Sequence, residues 1–119
     1  MTSRNKALGQ WGESRAADYL SGKGYKIVAR NVRTEYGEID LVASQGNEIV
    51  FVEVKTRSSL NYGYPEEAVT EQKKQHLVDA AQAYLQSQEP GEVMWRIDVI
   101  AVQKKGEGNF EIEHFENAV

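Results

Sequence analysis

The stretch Gly37–Lys55, GEIDLVASQGNEIVFVEVK, decides how this chain folds. Two alternating runs, EIDLVA and EIVFVEVK, flank Ser-Gln-Gly-Asn, which has the composition of a tight hairpin turn. With Gly46 and Asn47 at the turn, Gln45 faces Glu48, and the remaining pairs follow because strand side chains alternate between faces. Asp40 then faces Glu53 and Glu38 faces Lys55, with opposed Cβ atoms roughly 4.5–5.5 Å apart. One face is apolar throughout, with Ile39, Leu41 and Ala43 against Val50, Val52 and Val54, and is expected to pack inward. The other face is divided. Val42 and Phe51 lie near the turn, while Glu38, Asp40, Glu53 and Lys55 gather at the far end.

Carboxylates opposed in a sheet repel, and burial sharpens the conflict, so an Asp–Glu pair calls for a proton or a cation between them. A hard divalent ion such as Mg2+, which takes one or two carboxylates plus water and phosphate oxygens, suits this pair. Lys55 shares the face of Glu53, where it could orient a water or stabilise charge on a phosphate. The same residues also fit a solvated sheet edge with a Glu38–Lys55 ion pair. The pattern alone does not separate the two.

Outward from the hairpin, Leu8, Trp11, Ala16, Tyr19 and Leu20 recur at helical spacing between Asn5 and Ser21, with stop signals at Gly22 and Gly24. Tyr25–Val32 reads as a strand. After Lys55 comes the polar loop TRSSLNYGY, and then Pro65 in the position of a first-turn proline ahead of Glu66 and Glu67. The second helix carries an apolar stripe of Val69, Leu77, Ala80, Ala81, Tyr84 and Leu85 and ends near Gln88. MWRIDVIAVQ alternates as a strand, Gly-Glu-Gly-Asn turns, and Phe110, Ile112 and His114 mark a last short strand. The order α, β, β, β, α, β, β implies an α/β fold with a mixed central sheet flanked by helices.

At 119 residues, with no repeat and no linker, the chain is expected to form one domain over 1–119. The absence of cysteine leaves oxygen and imidazole as the only metal donors. The net charge of −4 argues against gripping nucleic acid by bulk electrostatics, although a bound divalent ion reverses the sign locally. Neither a signal-peptide stretch nor a membrane-length apolar run is present, so a cytoplasmic location without membrane contact is expected.

Asp40 followed by Glu53-Val54-Lys55 resembles the signature of the restriction-endonuclease-like superfamily, an acid on one strand and Glu-x-Lys on the next. The longer strings GEIDLVA, FVEVKTR, YGYPEEAVTEQKKQHLVDAAQAYL and RIDVIAV resemble the small bacterial YraN-like family, from about Gly9 to Val102. That family is similar to archaeal Holliday-junction resolvases. The resemblance implies a restriction-endonuclease-like αβββαβ core and a Mg2+- or Mn2+-dependent nuclease acting on DNA. It also implies that Asp40 and Glu53 bind metal, that Lys55 assists the water, and that Glu13 joins them from the first helix. The superfamily often supplies a polar residue from the second helix, and Gln72 is the candidate. The proline that often precedes the motif aspartate is replaced by Ile39.

Several residues remain open between two roles. Glu13 shares a helix face with Ala16, Ala17 and Leu20, where an acid is either a ligand or a bland helix glutamate. Gln72 and His76 lie one turn apart, either reaching the active face or facing solvent. Arg57, Lys73 and Arg33, with Arg30 and Lys74 nearby, either contact phosphates or only solubilise the surface. Tyr62, with Tyr64, either stacks on bases or packs its loop. Asp98, an acid in an apolar strand, is either structural or an outer support of the site. The rivals to a DNA nuclease are a non-catalytic nucleic-acid-binding module and a protein-interaction subunit. A two-fold homodimer would suit cleavage of both strands of a junction.

Overall fold

The computed structural model describes residues 3–58, 70–89 and 91–119. Helix α1 (Ser3–Gly22) is followed by strands β1 (Lys26–Thr34), β2 (Gly37–Gln45) and β3 (Glu48–Arg57). Helix α2 (Glu71–Gln88) and strands β4 (Met94–Gly106) and β5 (Asn109–Phe115) complete the chain. The five strands form one sheet in the order β1-β2-β3-β4-β5. Neighbours are antiparallel except β3 and β4, which run parallel because α2 carries the chain back between them. The expected αβββαβ core, a mixed sheet flanked by helices, is present, and β5 extends it.

The two helices cover opposite faces of the sheet. Against α1, Leu41, Ala43, Val50, Val52 and Val54 pack on Ala16, Ala17 and Leu20. Against α2, Val42, Phe51, Ile97 and Val99 pack on Leu77, Ala80 and Ala81. Being central, β3 is buried on both sides, which is why its sequence is an almost unbroken apolar run. Phe51, 2% exposed, anchors the α2 side with edge-on contacts to Tyr84 and Trp95.

Helix ends follow local chemistry. At the end of α1, Tyr25 N donates to Leu20 O at 3.0 Å and Gly24 N to Ser21 O at 3.1 Å. Gly24, at φ 91°, supplies the left-handed residue this ending requires. Among the described residues, the second helix begins at Glu71. Thr70 is extended (φ −72°, ψ 166°), and its Oγ1 accepts from Lys73 N at 3.2 Å, capping a helix that begins at Glu71. Pro65, Glu66, Glu67 and Val69 lie outside the described residues, as do Tyr62 and Tyr64. Among the described residues, no helix is long and apolar enough to cross a membrane.

The hairpin register holds from Gln45↔Glu48 to Leu41↔Val52, and there the pairing of β2 with β3 stops. Beyond that point the expected pairs Asp40↔Glu53 and Glu38↔Lys55 are absent from the ladder, and the face of Ile39 changes. Glu38 does not meet Lys55: it pairs with Arg33 across β1, at 3.6 Å, because β2 stays bonded to β1 after leaving β3. Ile39 does not share the face of Leu41 but joins the α2 core. The cause lies opposite Asp40, where Asn31 adopts φ 51° and interrupts the β1–β2 ladder between Arg30↔Leu41 and Val32↔Ile39. One left-handed residue breaks the pleat, so the alternation slips.

Candidate metal and phosphate site

Where β2 and β3 part, the side chain of Asp40 takes over from the ladder: Val54 N donates to Asp40 Oδ2 at 2.8 Å. The carboxylate is thereby fixed between the strands beside Glu53, whose side chain is 8% exposed. Burial first, then the charge of Glu53, raises Asp40 from its ordinary 3.8 to about 7, against the pull of the Val54 amide. Glu13 and Glu38 push in the same direction. Burial and the neighbouring carboxylates thus outweigh the positive charge within reach of Asp40, that of Lys73 included.

Glu53 is better supplied. Lys55 Nζ lies 3.3 Å and Lys73 Nζ 3.1 Å from its Oε1, one from β3 and one from the first turn of α2. Burial, followed by the neighbouring Lys73, lowers the pKa of Lys55. For Lys73, burial works downward, but the contacts with Lys55 and Glu53 outweigh it, and its pKa is raised. Lys73, a phosphate candidate from the sequence, is here a partner of the Glu53 carboxylate.

Glu13 reaches this end of the sheet because α1 lies very close to β3. A Cβ on Gly12 would fall 1.9 Å from Thr56 Oγ1, so only glycine permits the approach. With its amide oriented to suit its neighbours, Asn31 donates to Glu13 Oε1 at 3.0 Å and to Glu38 Oε1 at 3.2 Å. Burial and the charge of Glu38 raise the pKa of Glu13, while Arg30 and Asn31 lower it. Asp40, Glu53 and Glu13 thus present hard carboxylate oxygens within mutual electrostatic reach. Each offers a carboxylate oxygen, the donor type that a hard divalent cation takes, although among the described residues the group of three whose ligand atoms lie within 4.8 Å of one another is Asp98, His114 and Glu116.

Two clefts meet at Asp40 and Glu53. One, of about 400 Å³, opens toward α2 and is lined by Tyr36, Gln72 and His76. The other, of about 380 Å³, opens toward α1 and is lined by Glu13, Lys55, Thr56 and Arg57. The structure thus brings Asp40, Glu53, Lys55, Glu13, Gln72 and Lys73 together, with Arg57 at the edge. Arg33, largely exposed, sits on β1 against Glu38.

Asn31 was not singled out in the sequence. Its signal was an asparagine inside the strand run VARNVRT, a residue type that tolerates the left-handed region. Asp98 is fully buried and belongs to a different network. Its carboxylate accepts from Arg96 Nε at 2.9 Å, from Asn117 N at 2.9 Å and from His114 Nε2 at 2.7 Å. Asp98, His114 and Glu116 place ligand atoms within 4.8 Å of one another, near enough to hold a metal ion. The Arg96 guanidinium already donates to both Asp98 and Glu116, so an ion there would have to displace it.

The sequence model of the uncharacterised protein family UPF0102 matches residues 12–102. The chain belongs to that family. A UPF0102 protein of Syntrophotalea carbinolica is 46% identical over 118 residues, covering 99% of this chain and 95% of its own. Another UPF0102 protein, from Caldanaerobacter subterraneus subsp. tengcongensis, is 50% identical over 97 residues, 82% of this chain and 80% of its own. Among solved structures, Pyrococcus furiosus SfsA in complex with Ca2+ aligns with a TM-score of 0.41 and 13% identity. That alignment covers 94% of the UPF0102 chain and 63% of the SfsA chain. The UPF0102 span takes in every site residue from Glu13 to Lys73, and Asp98 as well.

Proposed function

We propose that this UPF0102 protein is a metal-dependent endonuclease that hydrolyses DNA phosphodiester bonds, at branched or junction structures. The observation that carries this reading is the pairing of an under-compensated Asp40 with a lysine-flanked Glu53 at the meeting point of two clefts. Mg2+ or Mn2+ held by Asp40, Glu53 and Glu13 would act as a Lewis acid on the phosphate and lower the pKa of a bound water. The Val54 amide holds Asp40 Oδ2 beside Glu53, from where the carboxylate could take the ion. Lys55, its pKa lowered by burial, is placed through Glu53 to hold the attacking water and to accept charge developing on the phosphate. Lys73 balances the Glu53 carboxylate from α2, Gln72 offers an amide to water or phosphate from the cleft wall, and Arg57 holds the phosphate chain on the α1 side. The partner on this reading is DNA, and a two-fold dimer would bring two such sites to opposite strands of a junction.

The test is cleavage of labelled single-stranded, duplex, flapped and four-way DNAs with Mg2+ or Mn2+. Wild type should cut at least one substrate, and Lys55→Ala should slow cutting by about a hundredfold or more while leaving the fold intact. DNA that is bound but never cut would move the protein to a non-catalytic binding role.

A further inference from the structure

The cleft on the α2 side contains an aromatic ring that the fold does not use. Tyr36 is 46% exposed and belongs to neither core cluster, yet it lines the same cleft as Asp40 and Glu53. Its mount is firm: Thr34 Oγ1 donates to Gly37 O at 2.8 Å and accepts from Tyr36 N at 3.1 Å, so the turn holds the backbone and leaves the ring free. The facing wall is α2, with the amide of Gln72 and the imidazole of His76. At about 400 Å³ the cleft falls in the range, roughly 300–1,000 Å³, that accepts one small ligand. Beyond Tyr36 lies a further hollow whose walls include Glu35 and Asp79, acids that repel a continuing phosphate chain.

We propose that this cleft takes one unpaired nucleotide, with its base stacked on Tyr36, the base edge reached by Gln72 and His76, and its phosphate directed to Lys73 at the end of the cleft where Asp40 and Glu53 would hold a divalent ion. The preferred substrate is therefore DNA with an unpaired nucleotide, as in a single strand or a flap, and not continuous duplex. The geometry favours this in three ways. An exposed aromatic face binds any base by stacking, without a code. The net charge of −4 gives little support for the long phosphate footprint that duplex binding draws on. An unpaired base enters a pocket without the cost of extraction from a stack. The inference rests on the nuclease reading only for what happens at the phosphate.

The experiment uses an oligonucleotide carrying 2-aminopurine at one unpaired position, with Mn2+ and with Lys55→Ala protein so that the strand survives. Binding should quench the probe. Adding Tyr36→Ala should abolish the quench and weaken binding by about 5- to 150-fold, while Tyr36→Phe keeps both. The same probe inside continuous duplex should show neither effect. Duplex bound as tightly as the flap, or Tyr36→Ala without effect, overturns the nucleotide pocket. The two readings fail separately. If wild type cuts no DNA but the Tyr36-dependent quench is present, the pocket stands without the nuclease. If Tyr36→Ala cuts duplex and flap as wild type does, the nuclease stands without the pocket.

Discussion

Burial and the neighbouring Glu53 move Asp40 from 3.8 to about 7, and the consequence for stability has a definite sign. Between those values the folded state holds a proton that the unfolded chain releases, so folding stability falls as pH rises through that window. The loss is on the order of 2–4 kcal/mol in the absence of metal. Asp40→Asn keeps an oxygen for the Val54 amide and removes the charge. In chelator, the variant should be more stable than wild type at pH 8 by about 1–3 kcal/mol, with the gap closing toward pH 4. Saturating Mn2+ should reverse the order, because only wild type gains from binding, by about 2.7 kcal/mol at a hundred times the dissociation constant. Urea unfolding at the two pH values, with and without metal, reads all three effects. A variant less stable than wild type at pH 8 in chelator would mean that Asp40 is already compensated.

The approach of α1 to β3 is what admits Glu13 to the site, and Gly12 is its condition. Alanine there gains about 1 kcal/mol of helix propensity, but its Cβ would lie 1.9 Å from Thr56 Oγ1 and 2.9 Å from Thr56 Cβ. Overpacking of this kind costs about 1–3 kcal/mol, so steric conflict wins and the helix must lift. Gly12→Ala should therefore lower both stability and Mn2+ affinity. Adding Thr56→Ala, which removes the two nearest atoms, should recover part of each in a non-additive cycle followed by calorimetry. Strictly additive losses would place the cause elsewhere. The elements themselves were readable from the sequence, because β3 announces burial on two sides by its apolar run and the turn at Gly46 sets five β2–β3 pairs. What lay beyond Leu41↔Val52 was not readable. The turn of Ile39 to the α2 face goes with Asn31 at φ 51°, while Glu38 meets Arg33 because the β1–β2 register is the same on both sides of Asn31. A period-two pattern holds no record of a single left-handed residue. Thr70 was a different kind of omission: its cap was written in the sequence as Thr before Glu-Gln-Lys-Lys, but Pro65 gave the more familiar helix-start signal.

The site lies where α1, β2, β3 and α2 converge at one end of β3, while the Asp98 network binds the molecule together around the other end, at Glu48. Arg96 reaches Glu48 from β4, Glu116 after β5, and the hydroxyl of Tyr25 after α1, the last at 2.8 Å. His114 adds Tyr19 of α1, its Nδ1 lying 3.2 Å from the hydroxyl. The backbone of the last residues is fixed too, by Asn117 N on Asp98 and by Ala118 N on Ile97 O at 2.9 Å. Removing the buried carboxylate strands the partners that converge on it. Asp98→Ala should therefore cost about 3–5 kcal/mol, and exchanging Arg96 for an apolar residue as well should recover little of it, because His114 Nε2 and Asn117 N still lack their acceptor. Divalent-ion binding at Asp40 should survive Asp98→Ala wherever the variant is folded, since the two carboxylates belong to separate networks. The same pair of variants decides between the hairpin carboxylates and the Asp98, His114 and Glu116 group as the place of the ion. If calorimetry shows Mn2+ binding lost in Asp40→Asn and kept in Asp98→Ala, the ion belongs between the hairpin carboxylates, and the Asp98 network is held by Arg96, His114 and the Asn117 amide without a metal. The opposite result would put the ion among Asp98, His114 and Glu116, with Arg96 displaced, and would leave Asp40 as a strained acid without a cation.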